Sequence, residues 1–190
     1  YGIVPIENSI GGSVNQTLDS LSVGNVKIIG EITIPIKHQL LSKGKDLSQI
    51  TKVFAHEQAL MQCSSWLREN LGSVELIRTS SNALAATKAK GDSQVAAIAG
   101  AEAAKIYGLE VLAKNIEDSV RNSTRFIVLG REVPNTSGSD RTSIMFSASD
   151  EAGSLYGVLG ILANADISMS RIESKPSGEG LWDYTFFVDF

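Results

Sequence analysis

The sequence predicts an α/β lobe on a mainly parallel sheet, followed by the first half of a ferredoxin-like module. Three observations predict this. Short Val- and Ile-rich runs alternate with helical patterns, the mark of α/β units. A polar, turn-rich stretch at 132–140 (Glu-Val-Pro-Asn-Thr-Ser-Gly-Ser-Asp) has no apolar period and separates two parts. The part after it reads β-α-β-β.

In order, a strand is expected at 2–6 and a helix after it, because Val14, Leu18 and Leu21 fall at i, i+4 and i+7. Strands follow at 26–35, 52–56, 74–79, 95–99 and 125–129. Between them, Leu60, Cys63, Leu67 and Leu71 carry a helical stripe that stops at Gly72, a residue suited to a left-handed cap. Two Ala-rich helices, at 81–89 and 101–107, are narrow enough to pack closely on a sheet. After the linker come a strand at 142–148, a helix at 152–164, and strands at 168–174 and 182–190. The first and last strands stand at the chain ends with nothing to cover them, so further segments are expected on both sides.

With 43% hydrophobic and 20% charged residues among 190, the chain can build one full core and part of a second. A formal net charge of -4 argues against nucleic acid or an anionic membrane surface as partner. Any anion must therefore be attracted locally. Cys63 is the only cysteine, which excludes an internal disulfide and suits a reducing cytosol. No apolar run approaches the roughly 18 residues of a membrane span and no leader pattern is present, so a cytoplasmic protein is expected.

Three strand-to-helix junctions share one pattern: Pro5-Ile6-Glu7-Asn8-Ser9, His56-Glu57-Gln58 and Thr79-Ser80-Ser81-Asn82. Such junctions lie at the carboxyl ends of strands, where open α/β sheets bind ligands. Free N–H groups and the helix dipole there attract carboxylate or phosphate without lysine. Each junction alone also fits an ordinary helix cap. A fourth element, Asn122-Ser123-Thr124-Arg125-Phe126, sets a hydroxyl, a guanidinium and a ring side by side. His38 and His56 lack companions at metal-ligand spacing, no Gly-rich phosphate loop is present, and no nucleophile elbow supports a hydrolase. No metal and no cofactor are expected.

The order of these motifs, with Tyr107-Gly108-Leu109 and Glu173-Ser174-Lys175-Pro176, resembles the prephenate dehydratase family over nearly the whole chain. The resemblance implies a lobe like those of type II periplasmic binding proteins over residues 1–131, lacking the start of its first lobe, a linker at 132–140, and a partial ACT domain over 141–190. It implies a cofactor-free lyase that converts prephenate to phenylpyruvate, carbon dioxide and water in phenylalanine biosynthesis. Aromatisation supplies the driving force, so the enzyme needs chiefly to orient a dianion and assist departure of hydroxide.

By the same resemblance Thr124 is catalytic and hydrogen-bonds the leaving oxygen, while Asn8, Ser9, Gln58, Thr79, Ser80, Ser81, Arg125 and Phe126 bind substrate. Gly153, Ser154 and Leu155 with Glu173, Ser174, Lys175 and Pro176 bind phenylalanine as allosteric effector, in a homo-oligomer, dimer or tetramer. Two positions depart from the family pattern: Lys175 replaces an arginine and its planar fork of donors, and Glu57 replaces a proline. Two other functions fit the same residues, dehydration of arogenate and non-catalytic sensing of an aromatic acid.

Overall fold

The computed structural model describes residues 1–119, 121–177 and 183–190. It divides into two compact units: residues 1–32 with 125–190, and residues 33–124.

The second unit is a five-stranded sheet between two helical layers. Its strands are β4 (Gln39–Ser42), β5 (Lys52–His56), β6 (Glu75–Thr79), β7 (Val95–Ala99) and β8 (Glu110–Ala113), in the order β6-β5-β7-β4-β8. β5 pairs in parallel with β6 and β7, as expected, but β4 runs antiparallel to both β7 and β8. The sheet is therefore mixed. Its helices are α2 (Glu57–Gln62), α3 (Ser64–Asn70), α4 (Asn82–Ala89) and α5 (Ala101–Tyr107).

Alternation along β7 shows how the core is made. Ala96 and Ile98 join one cluster with Leu40, Val53, Cys63 and Leu67, whereas Val95, Ala97 and Ala99 join another with Leu41, Ala85, Ala86 and Ala89. A strand covered on both faces needs apolar residues at every position, which is why 95–99 reads as an unbroken apolar run.

Three local expectations change. The stripe from Leu60 to Leu71 is two short helices broken at Cys63, whose backbone closes α2 and opens α3. Gly72 does not adopt the left-handed region; Gly108 does so just after the C-terminus of α5, with φ 65°. β4 had no sequence signal, because four residues that include Gln39 and Ser42 match neither period although all four are buried.

The first unit holds two sheets. One has the order β2-β1-β9-β3, from β1 (Gly2–Asn8), β2 (Gly12–Ser13), β3 (Lys27–Pro35) and β9 (Ser123–Gly130). The other, β10 (Ser143–Ala148), β12 (Tyr184–Asp189) and β11 (Arg171–Pro176), is antiparallel in that order. Helices α1 (Asn15–Val23) and α6 (Ser154–Asn164) complete the unit. Ile6, Leu18, Ile127 and Phe187 form one buried cluster, so β12 shares a core with β1, α1 and β9. Trp182, expected to begin the last strand, lies outside the described residues. Residues 131–142 form no helix or strand.

Candidate active site

The junctions at His56 and Thr79 come together. β5 and β6 run in parallel with His56 opposite Thr79, so both strands end at the same edge. Asn82 Oδ1 accepts the backbone N–H of His56 at 2.9 Å and ties the start of α4 to that of α2. His56 Nδ1 accepts the N–H of Gln58 at 3.2 Å, and Ser81 Oγ accepts the N–H of Leu84 at 3.1 Å, so each of the two helices carries a side-chain cap. Thr79 Oγ1 donates to the carbonyl of Ser81 at 2.9 Å. Ser80 and Ser81 are exposed, and Gln58 is half-buried. Glu57 pairs with Arg78 at 2.9 Å, which neutralises the charge it brings to this edge.

The junction at Asn8-Ser9 differs from expectation. It is a turn between β1 and β2, and the helix begins only at Asn15. Asn8 Oδ1 accepts the N–H groups of Ile10 and Gly11 at 3.1 and 2.8 Å, the local bonding by which asparagine favours turns over helix starts. The side chain is therefore a turn former, and its amide oxygen already serves the backbone.

The segment around Thr124 is anchored from the preceding side. Asn122 is 2% exposed; its carbonyl accepts the N–H of Ile36 at 2.8 Å and its Nδ2 donates to Gln62 Oε1 at 3.0 Å. Gln62 Oε1 also lies 2.9 Å from His38 Nε2. An amide oxygen can only accept, so this contact suits a hydrogen on the Nε2 side of the ring. Beside it, Glu117 accepts from the N–H of His38 and from Lys37, each at 2.9 Å. Burial alone would raise the Glu117 pKa, but these donors outweigh it and hold the carboxyl below the usual range. Thr124 and Phe126 are half-buried, and Thr124 ends the second unit.

Arg125 is surrounded by acids of its own unit. Its guanidinium meets Asp189 at 2.5 Å, Glu31 at 3.1 Å and Glu7 at 3.2 Å, with the side chain 10% exposed. Burial opposes its charge, and the three carboxylates more than offset that. Among the described residues Nε is its one buried side-chain nitrogen without a partner. An arginine expected to be open to substrate carboxylate is thus occupied. Glu7 lay within a recognised motif, but Glu31 and Asp189 could not be found by local spacing, because they lie 94 and 64 positions from Arg125.

At the start of α6, Gly153 has φ 91° and Ser154 Oγ lies 2.9 Å from Ser149 Oγ. Leu155 is half-buried. Along β11, Arg171, Glu173 and Lys175 alternate with the exposed Ile172, Ser174 and Pro176. Ser13 Oγ donates to Glu173 at 2.7 Å, and Lys175 Nζ contacts Asp19 and the carbonyl of Asn15. Glu173 and Lys175 are thus held by β2 and α1. Among the described residues no cluster of three or more His, Cys, Asp or Glu could hold a metal, and no helix is long and apolar enough to cross a membrane.

Fold and site together define an α/β lobe that gathers hydroxyl and amide donors at parallel strand ends, joined to a ferredoxin-like half-module. The chain belongs to the prephenate dehydratase family, whose model matches residues 1–134, and an ACT domain model matches residues 142–190. It is 47% identical to a bifunctional chorismate mutase/prephenate dehydratase of Aquifex aeolicus, over 100% of this chain and 52% of that protein. The chain thus spans about half the length of this relative. A crystal structure of prephenate dehydratase from Arthrobacter aurescens in complex with L-Phe superposes with a TM-score of 0.89 at 36% identity, covering 98% of this chain and 64% of that one. GqqA, described as a novel type of quorum-quenching acylase, superposes with a TM-score of 0.86 at 30% identity, covering 98% of this chain and 69% of that one.

Proposed function

We infer that this chain supplies the Thr124-bearing part of a lyase that converts prephenate to phenylpyruvate, carbon dioxide and water, regulated by phenylalanine. The observation that carries this reading furthest is the paired edge at His56 and Thr79, where Asn82 locks two capped helix N-termini together. Such an edge presents hydroxyls and backbone donors to a carboxylate in a protein whose overall charge would repel one.

In this reading Gln58, Thr79, Ser80 and Ser81 orient the dianion, Ser9 adds a hydroxyl, Asn8 shapes the turn that presents it, and Phe126 contacts the ring. Thr124 donates a hydrogen bond to the departing hydroxide. Its hydroxyl is too weak an acid to transfer a proton outright, so positioning carries most of the acceleration. Residues 1–131 serve this chemistry, 132–140 link, and 141–190 respond to phenylalanine through Gly153, Ser154, Leu155 and the 173–176 segment. The assembled enzyme is a cytoplasmic homo-oligomer.

An absorbance assay of the full-length protein with prephenate and with arogenate tests the reading. Phenylpyruvate from prephenate, abolished in a folded Thr124→Ala variant, is the expected result. Turnover of arogenate alone reassigns the substrate; binding without product makes the protein a sensor; wild-type rates in Thr124→Ala remove Thr124 from the mechanism.

A further inference from the structure

The acids around Arg125 are shared with a second arginine, and the sharing is atom for atom. Glu7 Oε2 lies 3.2 Å from Arg125 Nη2 and 3.9 Å from Arg171 Nε. Asp189 Oδ2 lies 2.5 Å from Arg125 Nη2 and 3.9 Å from Arg171 Nη1. Both arginine side chains are about nine-tenths buried, at 10% and 9% exposure, and Asp189 is at 5%. Two buried cations thus face the same two carboxylate oxygens, and in the observed arrangement Arg125 holds both at hydrogen-bond distance while Arg171 holds neither. Exchanging them requires movements on the order of 1 Å, because 3.9 Å lies only that far beyond a charged hydrogen bond.

The other charges in reach fix the ends of the cluster. Glu31 pairs with Arg125 and with Arg141, at 3.1 and 3.5 Å. Glu173 lies 3.9 Å from Arg171, whose Nη2 donates to Ser13 Oγ at 2.7 Å. Ser143 Oγ donates to the second oxygen of Asp189 at 2.7 Å. The two arginines belong to strands with different proposed duties. Arg125 directly follows Thr124 in β9. Arg171 precedes Glu173, Ser174, Lys175 and Pro176 in β11 and is the register partner of Asp189.

We propose that Arg171 and Asp189 are positioning residues that decide whether Arg125 is captured by acids of its own unit or released to serve substrate, and that effector binding on β11 favours capture. This rests on the function proposed above. In the captured arrangement Arg125 Nη2 is spent on Glu7 and Asp189. When Arg171 takes those two oxygens, Nη2 is released and Glu31 alone restrains the guanidinium. A ligand that moves β11 by about an ångström shifts the balance, since a buried ion cluster has discrete partners rather than a continuum of them.

The test uses the full-length protein and reads changes of opposite sign. Asp189→Asn keeps the shape and the Ser143 contact but weakens capture. Half-inhibition should then need about tenfold more phenylalanine or above, with binding still seen by calorimetry and with Asp189→Glu restoring sensitivity. Arg171→Met removes the competitor, leaves Arg125 captured, and should raise KM for prephenate about tenfold while kcat changes less. A merely structural cluster would lower stability in both variants and move neither ratio. Ser143→Ala, which removes one hydrogen bond and no charge, should weaken inhibition in the same direction as Asp189→Asn and serves if that variant does not fold. Inhibition unchanged in the Asp189 and Ser143 variants, or KM unchanged in Arg171→Met, overturns the inference. Failure of the wild-type protein to dehydrate prephenate overturns it together with the functional reading.

Discussion

The buried acid Glu117 makes the clearest claim about pH at the scale of single residues. Its carboxyl is 1% exposed and held below the usual range, so it binds its proton less readily folded than unfolded. A depressed carboxyl contributes stability that is fully present above the unfolded pKa, about 4.3, and is lost as pH falls through the lower folded value. Urea melts between pH 3 and 7 should therefore show an acid-side loss that Glu117→Gln flattens. The same variant should cost about 1–3 kcal/mol at pH 7, because the N–H of His38 and Lys37 lose a charged acceptor. Cys63 is a second test. Burial, then the nearby Asp118 and Glu117 charges, push its thiol up to about 12. Only about one thiol in ten thousand is then ionised at pH 8, so alkylation should be negligible in native protein and rapid once urea unfolds it.

At the scale of elements, the sequence was legible where burial imposes a period. The strands at 52–56 and 95–99 form over those very residues, because each is a short apolar run carrying Val with Phe or Ile and is closed by polar or glycine residues. β4 escaped because its burial is set by β7 and β8 on either side, not by its own pattern. The turn at Asn8 escaped for a different reason. Asparagine suits both a helix start and a local turn, and the choice fell to Gly12, whose φ of 74° lets β2 fold back on β1. Gly153 provides the element-scale prediction. With φ 91° it begins α6 in a conformation that an L side chain rarely adopts. Gly153→Ala should cost about 1 kcal/mol and weaken phenylalanine binding in calorimetry, whereas Gly157→Ala inside the same helix should be neutral or stabilising in thermal melts.

For the whole molecule, the division into units does not follow the residue ranges that the two family models match. Residues 33–124 form one continuous stretch with two core clusters, while the other unit joins the two ends of the chain. A fragment of residues 33–124 should therefore melt cooperatively by circular dichroism, and a non-cooperative melt would contradict the independence of its core. No sequence pattern could have shown that residues 1–32 pack with 125–190, because the contacts responsible, such as Ser13 with Glu173 and Arg125 with Glu7, join positions 160 and 118 apart. The paired junctions at His56 and Thr79 were within reach, since two strands of similar length, each ending in a capping sequence, imply parallel neighbours.

The discontinuity of the first unit also sets an order of events in time. Bringing β1 to β9 across residues 33–124, left as a floppy loop, would cost on the order of 4 kcal/mol in closure entropy. Once that stretch has collapsed into its own sheet, the loop no longer spans an unfolded chain and much of this cost has already been met. The inserted unit should thus mature first, and refolding monitored by hydrogen-exchange pulse labelling should protect amides of β5 and β7 before those of β1 and β12.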